Sequence, residues 1–240
     1  MIASDPAHPA ANLRDRKKAE MRRMLVLAAQ LSLVPGGPTL EQMCADAGVS
    51  KRTFFRYFTS REDAALAPIQ DQWRTFLALI PARLAEADPG ASVFAVLQET
   101  LAEAIREWSA ADPDWAVLTR DALALERAQS GVAAHHLGFC AGLTGEVAAS
   151  ITERSGAPTL RARLLFDVFL VAVRTAQYSW VSAPRITADP ERLLDQLDRA
   201  VATLAPSLGL RIRVDSDVRP AEEAGIAAES GVAEETLAVG

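Results

Sequence analysis

The sequence predicts an all-α protein in which an N-terminal helix-turn-helix precedes a larger helical body. Apolar residues recur every three or four positions over most of the 240 residues, and this spacing places them on one face of a helix. No segment of useful length alternates apolar and polar residues, as a half-buried strand would. Half of the residues are apolar, so the chain can bury a substantial core.

The first predicted helix spans residues 13–33, and two short helices joined by a tight turn follow within residues 39–58. Thr39 and Gln42 have the spacing of a capping box, which satisfies free backbone N–H groups at a helix start. Gly48 can take the positive φ of a sharp turn, and Ser50 can cap the next helix. That helix presents three basic side chains on its outer face, Lys51, Arg52 and Arg56. A capped helix, a glycine turn and a basic second helix describe a helix-turn-helix that can enter a major groove.

The distribution of charge along the chain supports this interpretation. Residues 13–61 hold ten Lys or Arg and four acidic residues, a net charge of +6, whereas residues 62–240 carry a net charge of −11. A basic module attached to an acidic body suggests that the module meets a polyanion. A solvated basic helix is the alternative explanation of a charge run, but this run coincides with a helix-turn-helix.

The body is predicted to consist of six further helices. The first begins at Ser60, is kinked or split at Pro68 and ends at Pro81, because proline lacks the N–H that a helix interior requires. Three helices follow near residues 91–109, 113–129 and 131–154, and two more run from Pro158 to about Ser182 and from Pro190 to about Pro206. From Asp215 the chain is acidic, small and spaced by Gly and Pro, a composition typical of disorder.

Residues 164–173 are apolar around nearly the whole circumference of a helix, so every side of that helix must be covered. A second copy of the chain could cover one side, together with the amphipathic helix after Pro190. The expected dimer interface consists of Leu165, Val168, Phe169, Leu194, Leu197 and Val201. A helix wholly enclosed by its own domain is the alternative. Asp167 interrupts the run and is expected to pair with Arg163 or Arg174.

No pattern of catalysis, cofactor binding or metal binding is found in the sequence. The adjacent His135 and His136 would point about 100° apart on a helix and could not face one metal. No uninterrupted apolar run reaches the roughly 18 residues that span a bilayer, and no basic segment precedes an apolar stretch at the N-terminus. Cys44 and Cys140 suit a reducing cytoplasm. We therefore expect a cytoplasmic protein with no catalytic residue, metal ligand or cofactor.

Residues 48–58, followed by Ser60-Arg-Glu-Asp63, resemble the signature of the TetR (tetracycline-repressor-like) family of bacterial regulators. The resemblance covers about residues 13–65, and the run 52–58 looks most like an actinobacterial subgroup that includes mycofactocin-associated regulators. It implies a homodimeric repressor that binds an inverted-repeat operator in double-stranded DNA and is released by a small ligand. An all-helical enzyme and a helical interaction protein, each with a chance resemblance, are the alternatives.

Carried over by position, the resemblance implies nine DNA-contacting residues: Thr39, Ser50, Lys51, Arg52, Thr53, Phe55, Arg56, Tyr57 and Arg61. Thr39 and Arg61 match contacts to the DNA backbone. Three features depart from the family pattern. Phe55 occupies a position usually held by Tyr and so lacks a hydroxyl for a phosphate, Tyr57 replaces the usual His, and the loop 35–38 is shorter than typical.

The resemblance and the composition together define four regions: a flexible N-terminus (1–12), a helix-turn-helix domain (13–60), a ligand-binding and dimerisation domain (61–210) and a disordered acidic tail (211–240). Residues 91–180 supply many apolar side chains but few polar anchors, which favours a mainly apolar ligand. The candidate pocket residues are Trp108, Trp115, Arg120, Phe139, Phe169 and Tyr178.

Acyl-CoA sensing is common among TetR relatives, so a fatty acyl thioester is the leading candidate for the effector. An anionic head group could bind Arg120, Arg127 or Arg174, because Arg suits phosphate geometry. A planar hydrophobic compound is the competing candidate, and plain core packing without a ligand is the other alternative.

Overall fold

The structure is a computed structural model that describes residues 13–184, 189–208 and 210, with side chains from Arg16 onward. Nine α-helices and no strand are found in these residues, which confirms the all-α fold class. The helices are α1 (Leu13–Ser32), α2 (Leu40–Asp46), α3 (Lys51–Tyr57), α4 (Arg61–Glu86), α5 (Val93–Ala111), α6 (Trp115–Ala128), α7 (Ser130–Ser155), α8 (Thr159–Ser182) and α9 (Pro190–Leu208). The predicted flexible N-terminus, 1–12, and acidic tail, 211–240, lie outside the described residues.

The N-terminal three helices share a small apolar centre. Phe54 and Phe58 from α3 and its C-terminus are buried together with side chains of α1 and α2. Cys44 is also buried, consistent with a small side chain where two helices cross. In the loop after α1, a Cβ on Gly37 would lie 2.6 Å from the carbonyl oxygen of Leu31. Only glycine therefore fits at this point of the loop.

The longest helices lie in the body, and α4 is at its centre. It packs against α1, α5, α6 and α7, and residues 64–73 are buried without exception. α4 is one continuous helix that extends to Glu86. The prediction of a split at Pro68 is therefore wrong, and so is the prediction that the helix ends at Pro81. Its packing against four helices offsets the cost of the internal prolines, which is roughly 3 kcal/mol for each in a helix interior.

An aromatic cluster fixes α8 against α4. The rings of Phe76 and Phe166 stack at 6.2 Å between centroids, and Trp73 meets Phe166 edge to face at 6.3 Å. Phe169 stacks on Phe76 at 6.3 Å. By length and composition α8 could also cross a membrane, but here its inner face lies in this cluster and much of its outer face is uncovered.

The chain divides into two compact units, residues 1–204 and residues 205–240. Of the second unit, the structure describes the last residues of α9 and Leu210. The predicted boundary between the helix-turn-helix and the body, at residues 60 and 61, falls inside the first unit, at the turn before α4.

Candidate nucleic-acid interface and ligand cavities

Side-chain caps position the two helices of the helix-turn-helix. The hydroxyl of Thr39 accepts a hydrogen bond from the Gln42 backbone N–H (3.3 Å), and the Thr39 N–H donates to Gln42 Oε1 (2.9 Å). Gly48 has φ +65°. Ser50 Oγ then accepts from the Thr53 N–H (3.0 Å) and starts α3. The predicted capping box, glycine turn and serine cap are all confirmed.

The outer face of α3 carries polar and aromatic groups that a DNA groove could contact. Arg52 and Arg56 are exposed, Phe55 is 52% exposed, and the Arg56 guanidinium lies 5.6 Å above the centre of the Tyr57 ring. Lys51 Nζ donates to Glu41 Oε1 of α2 at 2.7 Å. This hydrogen bond raises the pKa of Lys51 and lowers the pKa of Glu41. To bind a DNA phosphate, the Lys51 ammonium group must either share its hydrogens between the phosphate and Glu41 or break the hydrogen bond to Glu41.

Arg61, the first residue of α4, is only partly available to DNA. Its Nη1 donates to the carbonyl oxygens of Ser32 (3.4 Å) and Pro38 (3.5 Å). These acceptors lie at the end of α1 and in the loop before α2, so the guanidinium also holds that loop in place. Thr39 follows the same loop directly and is likewise solvent-accessible.

An ionic cluster that the sequence did not reveal joins the helix-turn-helix to the body. Arg22 of α1 makes two contacts to the Asp71 carboxylate, at 2.6 and 3.0 Å, and Arg74 makes a third at 2.7 Å. Burial raises the pKa of Asp71, against the opposing effect of the two arginines. The Arg22 guanidinium also lies 5.1 Å from the centre of the Phe58 ring at the end of α3. One side chain thus contacts both α4 and the C-terminal end of α3.

The six candidate pocket residues do not all come together. Trp108 and Trp115 line one cavity of about 200 Å³ between α1, α4, α5 and α6, with Arg22 and Asp71 in its wall. Phe169 is in the aromatic core, and Phe139 lies under the Arg74 guanidinium at 5.7 Å.

The remaining two candidates have structural contacts elsewhere. Arg120 is buried, and its guanidinium donates to the backbone carbonyls of Val181 (2.8 Å), Ala183 and Pro184 (3.3 Å), which end α8. Tyr178 is 41% exposed, and the Arg127 guanidinium lies 5.3 Å from its ring centre. Arg120 and Arg127 are thus engaged by the end of α8.

A second cavity, of about 280 Å³, lies between α4, α6, α7 and α8. Its wall includes Trp73, Glu126, His136, Cys140, Arg174 and Gln177. Of these, the sequence had singled out only Arg174 as a possible ligand contact. The others come from four helices, and no local spacing pattern connects them.

The outer face of α8 presents an uncovered apolar stripe. Leu160 is 80% exposed, Leu164 61%, Val168 37% and Val171 45%. Among the predicted interface residues, Leu165 and Val201 are partly accessible, as is Val168. Three others are buried in the protein's own core: Phe169, Leu194 and Leu197. Since these three have no free surface, a partner would have to contact their outward neighbours.

Asp167 accepts a hydrogen bond from the Thr144 hydroxyl at 3.3 Å. The predicted ion pair is wrong, because neither Arg163 nor Arg174 lies within 4.0 Å in the described chain. Asp167 is exposed and needs no buried counter-charge. His135 and His136 face different elements, Asp63 Oδ1 at 3.6 Å and Glu126 Oε2 at 2.9 Å. Within the described residues no group of three or more His, Cys, Asp or Glu could hold a metal ion.

The chain combines a capped, basic α3 with an all-helical body that contains cavities. This combination is typical of the helix-turn-helix transcriptional regulators. No protein-family model matches the chain. The chain is 30% identical over 202 residues to the HTH-type transcriptional regulator TcmR of Streptomyces glaucescens, and the alignment covers 82% of this chain and 88% of TcmR. The chain belongs to the TetR family of transcriptional regulators, and it is a DNA-binding regulator and not an enzyme.

Two solved structures show more distant similarity. A TetR-family transcriptional regulator from Mesorhizobium loti is 18% identical, with a TM-score of 0.36 and coverage of 78% of this chain and 98% of that chain. The multidrug binding protein EbrR, complexed with imidazole, is 20% identical, with a TM-score of 0.39 and coverage of 82% and 98%. The family assignment rests on TcmR and not on these two structures.

Proposed function

We propose that this regulator is a homodimeric repressor that binds an inverted-repeat operator and is released by a small, mainly apolar ligand. The observation that carries the proposal is α3 itself, whose caps fix its start and whose basic outer face is open to solvent. The groove-reading residues are those predicted from Ser50 to Tyr57, with Thr39 and Arg61 on the DNA backbone. Because bacterial operators lie on DNA in the cytoplasm, we also propose a cytoplasmic location for this regulator.

Two features support homodimerisation: the two half-sites of the proposed operator and the uncovered apolar face of α8. A dimer gains affinity and spacing from two half-sites, which one helix-turn-helix cannot supply. The stripe from Leu160 to Val171 is apolar and uncovered, and burying it against a second copy would remove that surface from water. Val168 lies within the stripe, and Leu165 on α8 and Val201 on α9 are partly accessible.

Ligand release would operate through α4. This helix begins directly after the helix-turn-helix and passes both cavities. The Arg22–Asp71 contact ties α1 to α4, so a shift of α4 would be transmitted to the recognition helix. The mechanism requires only that the ligand bind more tightly to the arrangement whose half-site spacing does not fit the operator.

A fatty acyl thioester remains the leading candidate for the effector, and a planar hydrophobic compound is the competitor. Both cavities combine apolar side chains with polar and charged groups, and apolar side chains with a few polar groups are usual for ligand sites. Of the three arginines considered for an anionic head group, Arg174 alone lines either cavity. Placement in the mycofactocin-associated subgroup rests on the 52–58 motif and is likewise part of the proposal.

The DNA proposal is tested by titrating the protein against promoter DNA from its own gene neighbourhood at fixed salt. A shuffled duplex of equal length is the control. Specific operators are typically bound 10³-fold or more tightly than non-specific DNA. Equal affinity for every promoter fragment and for the shuffled duplex would contradict the proposal.

The ligand proposal is tested by adding acyl-CoAs of increasing chain length to the operator complex, with free CoA as the control. Each added methylene should strengthen release by up to about 0.8 kcal/mol, because each buries further apolar surface. Release that is indifferent to chain length would exclude an acyl chain as the recognised group.

A further inference from the structure

The cavity between α4, α6, α7 and α8 contains a buried histidine with one nitrogen free. His136 is 7% exposed, and its Nδ1 lies 2.9 Å from Glu126 Oε2. Its Nε2 is buried and has no hydrogen-bond partner of good geometry in the described residues, although the Cys140 side chain is close enough to the ring to raise its pKa. A buried polar atom of this kind normally has a partner. A bound ligand or an ordered water would provide one.

The Glu126 contact decides which kind of partner Nε2 requires. Nδ1 must carry a hydrogen to bond the carboxylate, so Nε2 is a donor when the ring is charged and an acceptor when it is neutral. Burial lowers the pKa of His136, but the neighbouring Cys140 and Glu126 raise it more, to about 10. The Glu126 carboxylate, 2.9 Å from Nδ1, favours the charged ring, in which Nε2–H needs a hydrogen-bond acceptor.

The charges around the cavity favour a ligand without net charge. Glu126 balances His136, and Asp167 and Arg174 add one negative and one positive charge to the wall. An anion bound here would have no unmatched cation, and burying an unpaired charge is costly. The rest of the wall is largely apolar and includes the indole of Trp73 and the side chains of Leu170 and Val173.

We propose that this cavity binds a neutral, largely apolar effector through a carbonyl oxygen that accepts a hydrogen bond from His136 Nε2. The inference rests on the proposed function as a ligand-released repressor and specifies its site and the recognised group. The ketone of a rigid ring system meets both requirements, whereas a free carboxylate does not. The carbonyl of an acyl-CoA meets the hydrogen-bonding requirement only, because the CoA head group is charged.

Three rigid probes that share a carbon skeleton test the inference: fluorene, 9-fluorenone and fluorene-9-carboxylate. Occupancy is measured without DNA, from protection of Cys140 against alkylation by iodoacetamide, quantified by peptide mass spectrometry. Cys140 lines the cavity, whereas Cys44 is buried in the helix-turn-helix and reports any unfolding. Fluorenone should protect Cys140 at about tenfold lower concentration than fluorene or the carboxylate, because it alone satisfies the imidazolium without adding charge.

Adjacent histidines supply a matched pair of variants. His136→Phe should abolish the preference for fluorenone, and His135→Phe should retain it, because His135 faces Asp63 and does not line the cavity. Glu126→Gln keeps the ring but removes the carboxylate that holds it charged, so it should also weaken the preference. This second variant tests the inference if His136→Phe does not fold, as judged by circular dichroism.

Equal protection by fluorene and fluorenone, or a preference that survives in His136→Phe, would overturn the inference, since a water would then suffice for Nε2. Failure of all three probes to protect Cys140 at their solubility limits would also overturn it. Operator release is measured separately. If fluorenone selectively protects Cys140 but leaves the operator bound, the cavity assignment is supported and the proposed ligand-release function fails.

Discussion

At the scale of single residues, the start of α3 combines a side-chain cap with residues that we propose contact DNA. Ser50 caps the helix by accepting from the Thr53 N–H, and Arg52, the second residue of the helix, is exposed. Lys51 next to it is held by Glu41 at 2.7 Å. Arg52 is therefore the arginine near the start of α3 for which we expect direct base reading, since Arg binds guanine in a bidentate manner.

Arg52→Ala should weaken binding to the specific operator by about 1–3 kcal/mol and relax the sequence preference at one position of each half-site. Fluorescence anisotropy with operator variants at constant salt measures both effects. Arg199→Ala removes an exposed arginine from α9 and serves as the control, with no expected effect. If both variants bind like the parent, the assignment of α3 to the groove is wrong.

The raised pKa of His136 predicts how stability depends on pH. The folded-state pKa of about 10 lies above the ordinary value of 6.5, so the folded protein binds the proton more tightly than the unfolded chain does. The resulting stabilisation is fully present below about pH 6.5 and is lost as pH rises towards 10. The charged or titratable neighbours are Glu126 on α6, Cys140 on α7, and Asp167 and Arg174 on α8.

Denaturant unfolding at pH 6, 8 and 10 tests this pH dependence. The free energy of unfolding should fall from pH 6 to pH 10 in the parent and fall less in Glu126→Gln, which lacks the carboxylate partner. Glu146→Gln, at an exposed position on α7, should behave like the parent. Identical pH profiles for the parent and Glu126→Gln would show that this ion pair does not titrate as described.

At the scale of elements, α4 shows how packing outweighs local propensity. Pro68 and Pro81 both lie inside the helix, although each removes a backbone donor. Pro68 is itself buried, and its carbonyl oxygen accepts from the Trp115 indole N–H at 3.3 Å. Gln30 of α1 similarly donates to the carbonyl oxygens of Ala65 (3.1 Å) and Leu118 (2.8 Å). Side chains of α1 and α6 thus donate to backbone carbonyls of α4, and Gln30 also joins α1 to α6.

Asp71→Asn should lower the free energy of unfolding by about 1.5–3 kcal/mol, the range for a lost hydrogen bond to a charged group. Asp71 is 2% exposed, and the substitution leaves Arg22 and Arg74 without their carboxylate. Glu191→Gln, in an exposed pair with Arg106 at 3.1 Å, is the control and should cost less than about 1 kcal/mol. Equal effects of the two substitutions in urea unfolding would contradict the structural role given to Asp71.

At the scale of the whole molecule, the apolar stripe on α8 is the feature that a single chain does not account for. It runs along the outer face from Leu160 to Val171, while the inner face of the same helix packs on the aromatic core. A hydrophobic helix with one uncovered side indicates a partner. The proposed dimer provides that partner without any further protein.

Val168→Glu should convert the dimer into a folded monomer, because the charge would be buried at the interface without a counter-charge. Sedimentation velocity at micromolar concentration, with circular dichroism as the check of folding, measures the outcome. Val117→Glu on α6 is the matched control, since Val117 is 45% exposed and Val168 37%. A parent protein that sediments as a monomer would remove this interface from consideration.

The Leu197→Glu variant distinguishes a residue buried within one chain from a residue that we propose is buried between two chains. Leu197 is 2% exposed in the single chain, so a glutamate there would have to enter the core. We expect this variant to lose the cooperative thermal transition, which Val168→Glu should keep. A well-folded Leu197→Glu monomer would mean that α9 packs differently against the body.

The sequence by itself determined the features that depend on neighbours three or four residues apart. The capping box of Thr39 and Gln42, the turn at Gly48 and the cap at Ser50 could all be predicted, because each involves backbone groups within one helical turn. The helical character of the body could be predicted for the same reason. The family resemblance also lies within this local segment, and it predicts which residues contact DNA.

Only the tertiary structure decided what depends on residues far apart in the chain. Asp71 meets Arg22 across 49 positions, and the buried Arg120 reaches carbonyls some 60 positions away. No spacing rule reveals such contacts. The sequence therefore predicts Arg120 as a ligand contact, whereas in the structure its guanidinium donates to backbone carbonyls at the end of α8. The sequence likewise identified α8 as apolar on all sides, but not that its inner side would be covered and its outer side left open. Which face is buried depends on the packing of the other helices, and that is a property of the whole fold.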